Sequence, residues 1–187
     1  MILGHFRLNP IEVNAFIYAC SETREAMLVD CGDFDPRLPA FVDQFALKLT
    51  TIVITHEHWD HVQGLPLAAK HFGARVISAI PAPAGVESAI VATPGEIVTL
   101  GKLTGRLVDT SGHTSTALSL IFPEVVFTGD ALFAGSVGGT SNPEDSARQL
   151  ENVRSNLFTL PDDTIVCPGH GPCSTIGVER RFNPFFV

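Results

Sequence analysis

Residues 51–61 read Thr-Ile-Val-Ile-Thr-His-Glu-His-Trp-Asp-His, a β-branched run that passes directly into three histidines and an aspartate. Thr51 to Thr55 is predicted as a strand, and alternate side chains of extended chain share a face, so His56 and His58 converge on one point as the strand ends. Asp60 and His61 fall where Val62, Leu65, Leu67, Ala68 and Ala69 take up helical spacing, closed by Gly73. There they turn toward a second point close by. Imidazole with carboxylate suits zinc and also accepts iron or manganese, so the donor types narrow the metal without choosing it. The plain alternative is a solvated loop in which Asp60 is only the helix N-cap. A pattern this dense between a strand and a helix argues against it.

Upstream, apolar runs at Ile2 to Leu8, Asn14 to Cys20 and Ala26 to Asp30 are separated by Asn9-Pro10 and by the polar residues Ser21 to Glu25, which predicts an antiparallel sheet. Asp35 offers an N-cap before Pro36, and Leu38, Phe41, Val42 and Phe45 recur at helical spacing, giving a helix from about Pro36 to Lys48. Downstream, Arg75 to Ile80 is a strand, and Pro81 to Gly85 punctuates the chain before a short helix and a turn around Pro94-Gly95. Strands at Glu96 to Leu100, Leu103 to Thr110, Ala117 to Phe122 and Val125 to Thr128 form a second sheet that ends in the Gly-rich loop from Gly129 to Asn142. Asn142-Pro143-Glu144-Asp145 starts an amphipathic helix through Phe158, and Thr164 to Cys167 is a last strand. The order fits two sheets face to face with helices outside.

With 187 residues and 45% hydrophobic content, the chain is expected to bury one core, a single domain over residues 1–187. Its net charge of -8 and lack of basic clusters beyond Arg180-Arg181 speak against nucleic acid as a partner. Neither a membrane span nor a basic-then-apolar leader is present, so no membrane partner and a cytoplasmic location are expected. Cys20, Cys31, Cys167 and Cys173 form no C-x-x-C pair and are expected to be reduced, with Cys20 and Cys31 packed in or beside strands. Oligomeric state is not legible.

Three further candidates each follow a predicted strand: His113 in Ser111-Gly112-His113-Thr114, Asp130 in Thr128-Gly129-Asp130, and His170 in Pro168-Gly169-His170-Gly171. Singly each is an ordinary loop residue, but together with the histidine cluster they form a set. The sequence resembles the metallo-β-lactamase superfamily, and in particular its short glyoxalase II-like branch. The likeness runs through Leu28-Val29-Asp30-Cys31-Gly32-Asp33, Thr55 to His61, Gly112-His113-Thr114, Thr128 to Ser136 and Pro168-Gly169-His170-Gly171. The resemblance implies an αββα sandwich of two mixed sheets, with His56, His58 and His113 on one divalent metal, Asp60, His61 and His170 on another, and Asp130 bridging both. Zinc is the first expectation for the pair. It also implies a hydrolase that cleaves an ester, thioester or lactone of a small molecule by means of a metal-bridging hydroxide, as hydroxyacylglutathione hydrolases do. Asp60 is the candidate for orienting that hydroxide or taking its proton, and Asp30 for holding a ligand imidazole from behind. Trp59 and Phe133 are candidates for the substrate mouth, though packing is the expected role of each. His5 and His71, outside any motif, are expected to be structural.

Two features depart from the branch. Its usual Gly-Arg-Thr-Asp is here Gly138-Gly139-Thr140-Ser141, so the Arg and the Asp are both missing, and the chain stops at Val187 without the helical domain of longer glyoxalase II enzymes. Arg180, Arg181, Asn183 and Pro184 are expected to anchor the tail, and Phe182, Phe185 and Phe186 to pack on their own domain. A rival reading is a persulfide dioxygenase with one iron at His56, His113 and Asp130, and a third is a metal-binding protein without catalysis. A nuclease is disfavoured by the acidic charge, and a flavodiiron-type site by His58 where that branch has Glu.

Overall fold

The computed structural model describes residues 1–9 and 11–187, so the expected break at Asn9-Pro10 lies partly outside the described residues. In the first sheet β1 (Ile2–Leu8), β2 (Val13–Ala19) and β3 (Glu25–Val29) run antiparallel in sequence order. Beside β3 lie β4 (Lys48–Val53), β5 (Arg75–Ser78) and β6 (Ile90–Val91), all parallel. The second sheet has the order β12-β11-β10-β9-β8-β7, built from β7 (Ile97–Leu100), β8 (Leu103–Asp109), β9 (Leu118–Ile121), β10 (Val125–Gly129), β11 (Ile165–Pro168) and β12 (Ser174–Thr175). Only β10 and β11 pair in parallel there. Both sheets are mixed, as the resemblance implied.

Strand alternation sorts the side chains into layers. On β2, Phe16 and Tyr18 face the second sheet, where Phe127 and Phe122 meet them at ring separations of 5.6 and 4.9 Å. Ala15 and Ile17 face the other way, onto Leu38 and Val42 of helix α1 (Arg37–Gln44) and Leu65 and Ala68 of α3 (Leu65–Phe72). Because β2 is covered on both sides, its sequence is apolar at every position but Asn14 and does not alternate. The second sheet repeats the arrangement. Phe127 points inward, while Val126 and Val166 point outward onto Val153 and Leu157 near helix α4 (Pro143–Asn156) and Ile176 of α5 (Ile176–Phe182). The four layers are helix, sheet, sheet and helix. Each large side chain sealed between them contributes about 1.5–3 kcal/mol.

Several expected boundaries shift for local reasons. The first helix stops at Gln44 and not at Lys48, because Ala46 takes a left-handed φ of 49° and Lys48 N donates to Arg24 O, starting β4. The helix expected after His61 is two helices, α2 (Trp59–Val62) and α3. They part where Gly64 N donates to Cys31 O, in a place where a Cβ would lie 2.4 Å from the Asp33 carbonyl carbon. Gly73 closes α3 in the left-handed conformation, as expected. The sequence signals missed the short β6 and β12 and the seven-residue α5. The tail is anchored by Arg180 and Arg181 on Asp162, and by Asn183 Nδ2, which donates to Ser136 O at 3.0 Å. Phe186 packs on Phe158, but Phe182 and Phe185 stand 72% and 47% exposed, contrary to the expectation that all three terminal aromatics pack.

Candidate metal centre

The loops that follow β3, β4, β8, β10 and β11 meet at one rim of the sandwich, and they carry Asp30, His56 and His58, His113, Asp130 and His170. Helix α2 adds Asp60 and His61. All seven candidate ligands come together here, in three overlapping groups: His56, His58 and His113; His56, His61 and Asp130; and Asp60, His61 and His170. The N-cap of α2 is His58, so Asp60 is not a cap. Its Oδ2 lies 3.1 Å from His170 Nε2 and 3.6 Å from His61 Nε2.

Hydrogen bonds fix which nitrogens carry protons. His113 Nδ1 donates to Gly139 O at 2.6 Å, leaving Nε2 as a lone pair. Thr55 Oγ1 gives its proton to Asp30 Oδ2 at 2.8 Å, so it accepts from His56 Nδ1 at 3.1 Å and leaves His56 Nε2 bare. These two bare nitrogens approach His58 Nδ1 at 2.9 and 3.2 Å. Atoms bound at about 2.0–2.1 Å around a tetrahedral ion stand about 3.3 Å apart, which is the spacing of this group.

The second group has the same character. His61 Nδ1 donates to Asp30 Oδ2 at 2.8 Å, aiming Nε2 at Asp130 Oδ1, 3.3 Å away. Among the described residues four buried side-chain polar atoms lack a hydrogen-bond partner, and these two are among them. Asp130 Oδ2 lies 3.5 Å from His113 Nε2 and 3.8 Å from His170 Nε2, so its carboxylate reaches both groups. Buried atoms of this kind are costly without a cation between them, so the donor set fits two adjacent metal ions.

The electrostatics agree. Burial, then the neighbouring His61, push the pKa of His56 down to about 2 and keep it neutral, as a ligand must be. Burial also opposes charge on His61, but Asp30 and Asp130 outweigh it and lift the pKa to about 10. Burial would raise Asp130, yet His61 holds its carboxyl at about 2. In effect this corner demands a positive charge.

The surroundings leave little freedom. A Cβ on Gly169 would sit 2.1 Å from Asp130 Oδ1, and one on Gly138 would sit 2.0 Å from Asp130 O. Asp30, at a left-handed φ of 56°, accepts from Thr55 N, Thr55 Oγ1 and His61 Nδ1, each at 2.8 Å. Glu57 accepts from Thr114 Oγ1 at 3.2 Å and Thr116 Oγ1 at 2.7 Å, tying the His58 loop to the His113 loop. Trp59 is 56% exposed, so packing is not its role, and the Phe133 ring lies 6.1 Å from that of His170.

Sequence reasoning missed Asn14. Its Nδ2 donates to Pro168 O at 3.0 Å and Gly171 O at 2.8 Å, and its backbone N to Gly169 O at 2.7 Å, so it clamps the loop that carries His170. His5 supports it from behind through a 2.8 Å bond to Oδ1 and stacks on Phe16. The available signal was one buried polar residue in an otherwise apolar strand. Glu179 was missed as well. It is buried and accepts from Gly135 N and Asn183 Nδ2 at 2.8 and 2.9 Å, fixing the loop after Asp130.

The metallo-beta-lactamase superfamily model matches residues 8–170, and the chain belongs to that superfamily. Hydroxyacylglutathione hydrolase GloC of Haemophilus influenzae is 32% identical, over 94% of this chain and 95% of its own length. ETHE1 from Myxococcus xanthus has a similar crystal structure, with a TM-score of 0.84 at 27% identity, over 98% of this chain and 84% of that one. TTHA1623, solved in a di-iron-bound form, gives a TM-score of 0.80 at 27% identity over 97% and 99%.

Proposed function

We propose that this chain is a metal-dependent hydrolase that cleaves an ester, thioester or lactone bond of a small molecule. The observation that carries the reading is the pair of donor groups, His56-His58-His113 and Asp60-His61-His170, with Asp130 reaching both. In this reading the first group would hold one divalent ion and the second another, with the Asp130 carboxylate available to both. Zinc suits the donors, and the di-iron form of TTHA1623 makes iron the alternative. The likeness to a hydroxyacylglutathione hydrolase along almost the whole chain supports the thioester class.

Two divalent ions, when bound, would supply a water of lowered pKa and an electrophile to polarise a carbonyl oxygen. The chain's own residues do the rest. Asp60 presents Oδ2 to His61 and His170, and in this reading its carboxylate orients the attacking water and accepts a proton from it. Asp30 keeps the His61 ring turned, and Gly139 O does the same for His113. Exposed Trp59, with Phe133 beside His170, borders the approach. We take residues 1–187 as one cytoplasmic domain acting without nucleic acid or membrane. No helix among the described residues is long and apolar enough to cross a bilayer.

The likeness to ETHE1 favours a second reading, a dioxygenase with one iron at His56, His113 and Asp130. Metal analysis, oxygen uptake and hydrolysis of thioesters and lactones, measured on one preparation, separate the readings. Two ions with hydrolysis support the first. One iron with oxygen uptake and no hydrolysis replaces it with the second, and metal without turnover leaves a binding protein.

A further inference from the structure

Cys167 lies in β11 three residues before His170, and Cys173 follows three residues after it. The ladder between β11 and β12 pairs Ile165 with Thr175 and Val166 with Ser174, so the next rung places Cys167 opposite Cys173. Their Sγ atoms are 4.0 Å apart, and neither is in a disulfide. Ile176 N donates to Thr164 O, which makes that rung hydrogen-bonded. By alternation the cysteine rung is then of the non-hydrogen-bonded kind, whose Cα separation of about 4.5 Å falls inside the range that a disulfide spans. The rung closes the five-residue loop Pro168-Gly169-His170-Gly171-Pro172, with His170 at its centre.

We propose that Cys167 and Cys173 form a reversible dithiol-disulfide site that controls how firmly the His170 loop holds its metal. The two thiols differ as such a pair requires. Cys173 is exposed and lies below the usual thiol range because of its hydrogen bond with Cys167, whereas the same contact and burial push Cys167 up. With hydrogen peroxide as oxidant, the Cys173 thiolate attacks one peroxide oxygen and the O–O bond breaks, giving a sulfenic acid and hydroxide, which becomes water. Cys167 sulfur then attacks Cys173 sulfur and expels the hydroxyl group, which leaves as water with the Cys167 proton. Two thiols and one peroxide become one disulfide and two waters, and a dithiol reductant reverses the change. Cys167 is held in the core beside Phe127, so Cys173 must make the approach. Its movement draws on Pro172 and Gly171, and strains the Gly171 O contact to Asn14 that positions His170.

The disulfide needs nothing of the metal, but its effect on the second ion rests on the ligand assignment above. The test treats zinc-loaded protein and its Cys173→Ser variant with peroxide. Intact mass and peptide mapping read the bond, and zinc release to a chelator reads the loop. The wild type should lose the mass of two hydrogens, form a 167–173 cross-link and release one zinc about tenfold faster, recovering after dithiothreitol. Cys173→Ser should do none of this. If no cross-link forms, the redox site is refuted. A cross-link that leaves zinc release unchanged refutes the control of the loop. Reduced protein that never holds a second zinc instead refutes the ligand assignment, while the mapped cross-link still stands or falls by itself.

Discussion

His61 Nε2 and Asp130 Oδ1 face each other at 3.3 Å, both sealed from solvent and neither with a hydrogen-bond partner. A buried polar atom left unsatisfied costs about 1–3 kcal/mol, more when charged, so the relationship is stable only with a cation between or beside the two atoms. Purified protein should therefore carry close to two metal ions per chain by elemental analysis. Exhaustive chelation should lower its melting temperature. Metal-free protein that melts with the loaded form would show that this gap is not a metal site.

Without metal, that positive charge is a proton on His61. Its folded pKa, about 10, is raised above the ordinary 6.5, so the contribution to stability is complete below pH 6.5 and is lost as pH climbs through 10. The metal-free protein should lose melting temperature across that window more steeply than the loaded one. Metal uptake at pH 7 should release a proton, seen as a buffer-dependent heat in calorimetry. Uptake with no proton release would contradict a protonated His61.

The ligands should not be equivalent. His170→Ala should weaken one ion and spare the other, because His170 Nε2 approaches Asp60 and Asp130 but belongs only to the second group. Asp130→Ala should damage both. Gly169→Ala should resemble Asp130→Ala although it removes no ligand, since its Cβ would press on Asp130 Oδ1 from 2.1 Å. Metal titrations of the three variants check this. Equal, single-site losses in all three would break the assignment of Asp130 to both groups.

Asp30→Asn should keep the fold while loosening the metal. Asn tolerates the left-handed φ of 56° and can still accept from Thr55, but it takes a full negative charge away from His61 Nδ1. Losing such a partner typically weakens metal affinity about 10–100-fold. Chelator competition reads the affinity, and circular dichroism checks the fold. Unchanged affinity would reduce Asp30 to a turn residue.

The part of the centre legible in the sequence is the part that breaks local rules. Histidines crowded after a strand, and Gly-His or Gly-Asp at strand ends, stand out against a background of β-branched residues, and the fold brings all seven together. What supports them was not legible, because its meaning depends on packing. Asn14 reads as one polar residue in a strand until β2 is seen to lie against residues 168–171. The same holds for Glu179, whose helix α5 is too short to show periodicity. The central strands are legible because stretches such as β3 and β10 are compact apolar runs. The end of α1 is not legible, because the left-handed stop is Ala46, which carries no glycine signal.

Selectivity is the remaining question, and Gly139 is the place to ask it. Its carbonyl accepts from His113 Nδ1 at 2.6 Å, so residue 139 borders the centre, and no atom lies within 4 Å of where its Cβ would be. An arginine there is sterically permitted. In the short glyoxalase II-like branch that this sequence resembles, the usual residue at the corresponding position is Arg. A glutathione thioester bears carboxylates, and a bidentate contact from Arg is worth about 1.5–3 kcal/mol, roughly ten- to a hundredfold in affinity. The parent should thus hydrolyse neutral thioesters and lactones more readily than S-lactoylglutathione, and Gly139→Arg should lower KM for the glutathione thioester by about that factor while leaving the neutral substrates unchanged. Steady-state kinetics on the two proteins decide it. A parent that already prefers S-lactoylglutathione, with no gain in the variant, would mean that the carboxylates are met elsewhere on the rim and that the loss of this Arg is silent.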